Sequence, residues 1–339
     1  MKQKIALVTG ICGQDGAYLA EFLLNKNYKV VGADRRSSRN TNWRLKELGI
    51  LNDIEIEDFE LSEITNILNL INKYKFNEIY NLAAQSFVKT SFSTPINTSD
   101  VNALGVLRLL ECIRNNSKKT KFFQASTSEM IGNSKEKIQN ENSKFNPQSP
   151  YGIAKLFAHN IVKNYREAYN IFACSAISFN HESPLRGEEF VTKKIIKNLV
   201  AIKKNKIKFF ELGNLEAKRD WGYAKDYVEA FWRMLQTKRP HDLVISTGKT
   251  ITIKDFVNLA LKKLKIKYKW IGRGINSKCI NLDTNTTIIK INKKYFRPAE
   301  VNYLCGNSYK AKKIINWKPK TDLKQLVDIM CEFELNKFN

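Results

Sequence analysis

Apolar, β-branched runs alternate with longer segments of helical periodicity through the first half of this 339-residue chain. Five such runs are KIALVT (4–9), YKVVGA (28–33), NEIYNLA (77–83), TKFFQAS (120–126) and IFACSAIS (171–178). Repeated alternation of strand and helix at this spacing predicts a parallel sheet covered by helices on both faces. The first half is therefore predicted to be a doubly wound α/β domain.

The alternation becomes irregular beyond about residue 180, where the segment 270–296 is β-rich and contains glycines. No linker rich in proline or serine separates the two halves. We predict a smaller C-terminal α/β lobe that binds the substrate and packs against the first. The first lobe is predicted to span residues 1–179, with about 220–246 returning to it, and the second about 180–219 and 247–339.

A glycine loop, GICGQDG, follows the first predicted strand directly and precedes a predicted helix. Glycines in this position let the backbone turn tightly and approach a pyrophosphate, whose charge the helix N-terminus then holds. The strand–loop–helix context predicts a Rossmann-type dinucleotide site. The loop residues predicted to contact the cofactor are Gly10, Gly13, Gln14, Asp15 and Gly16.

The end of the second predicted strand carries residues that favour different cofactors. Asp34 would bind the free 2′-hydroxyl of NAD, whereas Arg35 and Arg36 would accommodate the 2′-phosphate of NADP. Ser37 follows in the same turn. We favour NADP, with NAD as the alternative because of Asp34.

Two pairs of residues predict acid–base chemistry near this cofactor. Tyr151 and Lys155 are four residues apart in a helical segment and therefore share one face. A neighbouring ammonium and a nicotinium would lower the pKa of the tyrosine toward that of a general base. Thr127 and Glu129 follow the strand that ends KFFQAS, and ligands sit at this edge of open α/β sheets. We predict that these four residues are catalytic.

Composition excludes several other classes of protein. The 57 Lys plus Arg against 33 Asp plus Glu give a net charge of +24, which first suggests nucleic acid, but the lysines are dispersed and form no recognisable nucleic-acid site. Six scattered cysteines without ligand spacing predict buried thiols and no metal site. Without a long apolar segment or a cleavable leader, we expect a cytoplasmic protein that has no membrane partner.

Long stretches of the chain resemble the GDP-mannose 4,6-dehydratase family of the extended short-chain dehydrogenases/reductases. The stretches are TGICGQDGAYLAEFLL, NWRLKELGI, IYNLAAQSFV, QASTSEMIG, SPYGIAKLFAHNIVKNYREAY, FNHESPLRGEEFVTKKI, AKRDWGYAKDYVEAFW, FRPAEV and NWKP. FNHESPLRG, AKRDWG and FRPAEV are the most specific to a GDP-sugar. One departure is Glu60–Leu61, where the family commonly has an aspartate at the adenine pocket.

The resemblance implies further binding residues. For the cofactor they are Glu60, Leu61, Leu82, Ala83, Ala84 and Ser86, together with Tyr151 and Lys155. For the GDP-sugar they are Ser86, Asn180, Glu182, Arg186, Val191, Lys194, Gly213, Arg219, Arg297 and Glu300. His181 is predicted to be a hydrogen-bonded structural histidine, since the family chemistry uses none.

The implied reaction is conversion of GDP-mannose, or a close GDP-manno-sugar, to the GDP-4-keto-6-deoxy sugar by internal hydride transfer and loss of water. The alternatives are the same reaction on GDP-D-glycero-D-manno-heptose and, more distantly, a GDP-sugar epimerase or reductase. Glu129 after Ser128 argues against the latter, because neither activity needs a base at C5 followed by elimination. Family members commonly form dimers or tetramers, so we expect a homo-oligomer.

Overall fold

The computed structural model describes residues 3–38 and 40–338, which form fifteen strands and twelve α-helices. The strands are β1 (Ile5–Thr9), β2 (Lys29–Asp34), β3 (Glu55–Asp58), β4 (Glu78–Asn81), β5 (Lys121–Thr127), β6 (Ala173–Ser178), β7 (Asn180–Glu182), β8 (Phe210–Leu212), β9 (Lys218–Arg219), β10 (Trp221–Tyr223), β11 (Leu243–Ile245), β12 (Ile251–Thr252), β13 (Tyr268–Ile271), β14 (Lys278–Asn281) and β15 (Thr286–Ile291). The helices are α1 (Gln14–Leu24), α2 (Trp43–Glu47), α3 (Ile64–Tyr74), α4 (Val88–Ser93), α5 (Pro95–Ser99), α6 (Gly105–Asn116), α7 (Pro150–Tyr169), α8 (Val191–Lys203), α9 (Ala224–Leu235), α10 (Ile253–Lys263), α11 (Tyr309–Ile315) and α12 (Leu323–Asn336).

Seven strands form one parallel sheet in the order β11-β6-β5-β4-β1-β2-β3. The five predicted runs are β1, β2, β4, β5 and β6, which confirms the doubly wound, Rossmann-type fold. The chain leaves β1 toward β2 on one side and later returns to β4 on the other. Such a reversal opens a crevice at the carboxyl ends of the strands, where ligands bind.

Helices cover both faces of the sheet. On one face, Tyr18 and Leu19 of α1 pack with Phe231 and Met234 of α9 against the sheet. A second cluster of buried apolar residues from α3, α6 and α7 covers the opposite face. Both clusters are almost fully buried, so the sheet is a rigid platform for the side chains at its carboxyl edge.

The second lobe contains a four-stranded sheet in the order β13-β14-β15-β8, which corresponds to the predicted β-rich segment. Helices α8, α10 and α12 cover it with a separate apolar core. The intervening segment returns to the first lobe, because α9 packs on α1 and β11 pairs with β6. We propose that the lobes comprise 1–179 with about 220–246, and about 180–219 with 247–339.

The six cysteines are all buried and form no disulfide, as expected. Within residues 3–38 and 40–338, no helix is sufficiently long and apolar to cross a membrane. The same ranges contain no cluster of three or more histidine, cysteine or carboxylate side chains that could hold a metal ion.

Candidate active site

The glycine loop between β1 and α1 forms a cradle of backbone atoms. Gly10 has φ +67°, and a Cβ atom there would lie 3.0 Å from the backbone of Ala83. A Cβ atom at Gly16 would lie 2.3 Å from the carbonyl oxygen of Gly10. Helix α1 begins after Gly13, and no described side chain caps its first turn. The N–H groups of this turn are therefore available to an anion, which fits the pyrophosphate of a dinucleotide.

The side chains of Gln14 and Asp15 bind the polypeptide that follows β6. Gln14 Nε2 donates to the carbonyl oxygen of His181 at 3.1 Å, and Ser183 Oγ donates to Gln14 Oε1 at 2.7 Å. Because these bonds occupy the side chain of Gln14, this residue would contact a cofactor through its backbone. Asp15 Oδ2 lies 2.7 Å from His181 Nε2.

His181 has the structural role predicted from the sequence. Its Nδ1 bonds to the carbonyl oxygen of Phe179 at 2.8 Å, and its ring stacks on Tyr227. Burial alone would lower the pKa of His181, but Asp15 raises it. Burial would likewise raise the pKa of Asp15, but His181 lowers it to about 2. The contact between His181 and Asp15 links the glycine loop to the start of the second lobe.

The predicted cofactor-selecting residues lie at the ends of β2 and β3, which are three and four strands away from β5. Asp34 Oδ1 accepts from the backbone N–H of Arg35 at 2.8 Å. The side chains of Arg35, Arg36 and Ser37 are exposed. After β3, Glu60 is half-buried and Leu61 is buried.

The four predicted catalytic residues line a single cavity of about 550 Å³. Thr127 ends β5, and its Oγ1 accepts from the N–H of Glu129 at 3.2 Å in the turn that follows. Helix α7 begins beside them and carries Tyr151 and Lys155. Lys155 Nζ donates to the carbonyl oxygen of Ala125 at 3.0 Å and lies 5.9 Å from the centroid of the Tyr151 ring. The carboxyl edge of the sheet and the start of α7 thus bring the four residues into one cavity, as predicted.

The electrostatics of Tyr151 differ from the sequence expectation. Burial and the charge of Glu129 raise the pKa of Tyr151, while a hydrogen bond with Thr127 and the charge of Arg186 lower it less. Burial also lowers the pKa of Lys155, to about 8. Desolvation of both groups outweighs their proximity.

Glu129 is connected to predicted substrate residues by a row of alternating charges. Its side chain is 6% exposed, and its Oε1 lies 3.3 Å from Arg297 Nη1. The same guanidinium nitrogen is 4.0 Å from Glu300 Oε1, which bonds to Arg219 Nη2 at 3.0 Å. Burial lowers the pKa of Arg219, although both carboxylates oppose this effect. The two carboxylates and the two guanidinium groups together carry no net charge, and all four lie in a largely buried part of the cavity.

All ten predicted substrate residues line the same cavity as the catalytic residues: Ser86, Asn180, Glu182, Arg186, Val191, Lys194, Gly213, Arg219, Arg297 and Glu300. Asp15, Leu82 and Ala84 also line it. Other predicted cofactor residues lie outside the lining: Gly10, Gly13, Gln14, Gly16, Asp34, Arg35, Arg36, Ser37, Glu60, Leu61 and Ala83. They belong to the glycine loop and to the strand ends on its far side.

The lining residues that were not predicted from the sequence include Phe87, Lys89, Phe190 and Tyr295. Lys89 Nζ donates to the carbonyl oxygen of Lys294 at 2.8 Å, and the ring of Tyr295 lies under Lys194 Nζ at 3.6 Å. Phe87 and Lys89 lie in the segment FVKTSFSTP (87–95), whose sequence does not indicate which of its side chains face the cavity.

The chain matches known proteins over nearly its full length. The sequence profile described as GDP-mannose 4,6 dehydratase matches residues 7–330. A Drosophila melanogaster protein named GDP-mannose 4,6 dehydratase is 45% identical over 342 residues, covering 98% of this chain and 87% of that protein. A GDP-mannose 4,6-dehydratase of Vibrio cholerae serotype O1 is 43% identical over 356 residues, covering 99% of this chain and 95% of that protein.

A solved dTDP-glucose 4,6-dehydratase from Bacillus anthracis, in complex with NAD, shares the fold with a TM-score of 0.80 and 20% identity. The match covers 97% of this chain and 96% of that one. The family profile and both relatives extend over the cradle, the catalytic pairs and the second lobe. The chain therefore belongs to the GDP-mannose 4,6-dehydratase family.

Proposed function

We propose that the protein converts GDP-mannose to its 4-keto-6-deoxy derivative with loss of one water. The observation that carries the proposal is a single cavity in which Tyr151, Lys155, Thr127 and Glu129 face cationic residues of the second lobe. Acid–base groups alone would suit many reactions of this fold. Their combination with a diphosphate-binding wall identifies the substrate class.

Lys194, Arg219 and Arg297 supply the diphosphate-binding wall. Guanidinium groups suit phosphate oxygens because they donate two parallel charge-assisted hydrogen bonds. The Oδ1 atom of Asn180 is buried and lacks a hydrogen-bond partner among the described residues. We assign Asn180 to the substrate as well, because an unpaired buried polar group is expected to find a partner in the complex.

The residues present fit a nicotinamide dinucleotide. The glycine cradle would hold its pyrophosphate, and Lys155 and Tyr151 would lie beside its nicotinamide end. When bound, this group would supply the hydride acceptor for C4, the hydride donor for C6 and a positive charge near Tyr151. Burial and the charge of Glu129 raise the pKa of Tyr151, so a positive charge beside it would favour its role as a base.

The side chains divide the proton transfers between them. Tyr151 removes the proton of the C4 hydroxyl while Thr127 hydrogen-bonds to the same oxygen. Oxidation of C4 to a ketone acidifies the hydrogen on C5, and Glu129 removes it. Glu129 then gives that proton to the departing C6 oxygen, which leaves as water. As the hydride adds to C6, C5 regains a proton from Tyr151, which returns the tyrosine to its starting state. The overall change is redox neutral and releases one water per sugar.

The assignment is tested by incubating the purified protein with GDP-mannose and following the mass of the sugar nucleotide. A product lighter by one water supports it. Unchanged GDP-mannose, in the presence of either NAD or NADP, would refute it. The same experiment with substrate deuterated at C4 also tests the internal hydride return.

We propose NADP as the cofactor, since Arg35 and Arg36 are exposed beside Asp34 at the end of β2. Replacing both arginines by alanine should lower the preference for NADP over NAD by at least about tenfold, because charge-assisted hydrogen bonds to the 2′-phosphate are lost. Titration calorimetry with each cofactor measures the ratio of dissociation constants. Arg273→Ala removes an exposed arginine elsewhere and is the control. A wild-type preference for NAD would contradict the proposal.

We propose a homodimer that covers an apolar face formed by α5, α7 and the π-helical segment between α5 and α6. These elements pack side by side, and they expose Ile96, Leu104, Ile153 and Phe157. Ile96 alone is 85% exposed. Apolar side chains grouped in this way usually mark an interface.

The dimer proposal predicts that Phe157→Lys lowers the molar mass in light scattering from that of two chains to that of one. A lysine in the middle of an apolar interface leaves an unpaired buried charge. Phe209→Lys changes an exposed phenylalanine outside this face and should leave the mass unchanged. If wild-type protein scatters as a single chain, the face has another role.

A further inference from the structure

Two phenylalanines, one from each lobe, meet at the wall of the cavity. Phe87 precedes α4 in the first lobe, and Phe190 precedes α8 in the second. Their ring centroids are 5.7 Å apart with an interplanar angle of 75°, an edge-to-face contact. Both rings are half-buried and line the cavity. Neither ring takes part in a step of the proposed reaction.

The two rings line the same cavity as Thr127 and Lys194. Phe87 is on the segment that follows β4, the neighbour of the strand that ends at Thr127. Phe190 directly precedes Val191, and its carbonyl oxygen accepts the N–H of Lys194 at 2.9 Å. A sugar nucleotide held between Thr127 and Lys194 would therefore lie against the part of the cavity wall that these rings form.

Phe190 is held firmly in this position. The guanidinium carbon of Arg186 lies 3.5 Å from the centroid of its ring, and Arg186 Nε lies 3.1 Å from Glu182 Oε2. The N–H of Phe190 bonds to the carbonyl oxygen of Gly187 in a tight turn. A ring fixed by stacking on one side and by Phe87 at its edge has little freedom to make room for a larger ligand.

We infer that the Phe87–Phe190 pair is the size filter of the sugar site, on the basis of the proposed function. It accepts a GDP-linked hexose that ends at C6 and disfavours a GDP-linked heptose with one further hydroxymethyl carbon. The rings occupy part of the cavity wall and offer no hydrogen-bond partner to an added hydroxyl. Burial of an unpaired hydroxyl against an aromatic wall costs binding free energy, so the pair discriminates by polarity as well as by volume.

The experiment compares kcat/KM for GDP-mannose and for GDP-D-glycero-D-manno-heptose in wild type, Phe87→Ala and Phe190→Ala. The wild-type protein should prefer the hexose. The ratio of kcat/KM for the heptose to kcat/KM for the hexose should rise at least about tenfold in either alanine variant. Tenfold is the lower end of the discrimination that a pocket achieves for one extra carbon. Phe87→Leu keeps an apolar side chain of intermediate size, should retain the fold, and should give an intermediate ratio.

Phe209→Ala is the matched control, because Phe209 is 44% exposed and lies outside the cavity lining. Its ratio should equal that of the wild type. Unchanged ratios in both cavity variants and in Phe87→Leu, or a wild-type preference for the heptose, would overturn the size filter. If the wild type dehydrates neither sugar, the proposed function has failed, and the ratio of dissociation constants for the two intact sugar nucleotides in the same variants still decides the filter.

Discussion

Replacing Glu129 by glutamine should reduce turnover of GDP-mannose toward the upper end of the roughly 10²- to 10⁴-fold range that a general acid–base group contributes. The large effect follows because we assign two proton transfers, from C5 and to the C6 oxygen, to one carboxylate. Glutamine keeps the shape of the side chain and can still bond to Arg297. The dissociation constant for GDP-mannose should therefore change only a few-fold.

Steady-state kinetics and titration calorimetry measure these two quantities on the same preparations. Glu216→Gln removes an exposed carboxylate from the second lobe and should match the wild type. Glu129→Gln has a further consequence, because the charge of Glu129 raises the pKa of Tyr151. Oxidation at C4 should then extend to lower pH in this variant. Product formation at the wild-type rate would show that another group removes the C5 proton.

Replacing Tyr151 by phenylalanine should also lower kcat by about 10²- to 10⁴-fold, because the proton of the C4 hydroxyl loses its acceptor. This variant should stop before C4 is oxidised, whereas Glu129→Gln should stop after it. Loss of deuterium from C4 of a labelled substrate distinguishes the two variants. The deuterium should leave C4 in Glu129→Gln and remain there in Tyr151→Phe.

Tyr309→Phe is the control for this second substitution, since Tyr309 is 68% exposed and outside the cavity lining. Tyr151→Phe should keep the thermal stability of the wild type, because burial favours the apolar ring and the hydroxyl makes few contacts apart from Thr127. C4 oxidation that persists in Tyr151→Phe would assign the C4 proton to a different base.

The central part of this fold could be predicted because its signals are local. Buried parallel strands such as β5 and β6 are continuous apolar runs, and a glycine loop between a strand and a helix has few other uses. Thr127 and Glu129 could be predicted for the same reason, since the carboxyl ends of parallel strands meet at one edge. The spacing of Tyr151 and Lys155 places them on one helix face, and the glycine loop together with the Thr127/Glu129 pair indicates that this face is catalytic.

Two strands of the sheet were missed for physical reasons. β3 is an edge strand with the sequence EIED, and its charged, largely exposed side chains carry no apolar run. Such charge is common at sheet edges, where it discourages pairing with other chains. β11 has only three residues, Leu243–Ile245, and is a strand because β6 offers it an open edge. Neither property is visible in local periodicity.

Two features of the site could not be predicted from the sequence. The spacing of Tyr151 and Lys155 correctly places both groups in one cavity, but the direction in which the pKa of Tyr151 shifts depends on burial and on Glu129. Phe87 and Phe190 are about one hundred residues apart in the chain, and only the packing of the two lobes makes them neighbours. Residues that shape a cavity have no motif of their own.

Internal hydride return is the most direct test of the proposed reaction, and it needs only GDP-mannose deuterated at C4. The purified protein should release a product one water lighter that carries the deuterium in its new C6 methyl group, with no net consumption of cofactor. A product without deuterium at C6, or a sugar nucleotide that keeps its full mass and its C4 label, would contradict the assignment of this cavity to 4,6-dehydration.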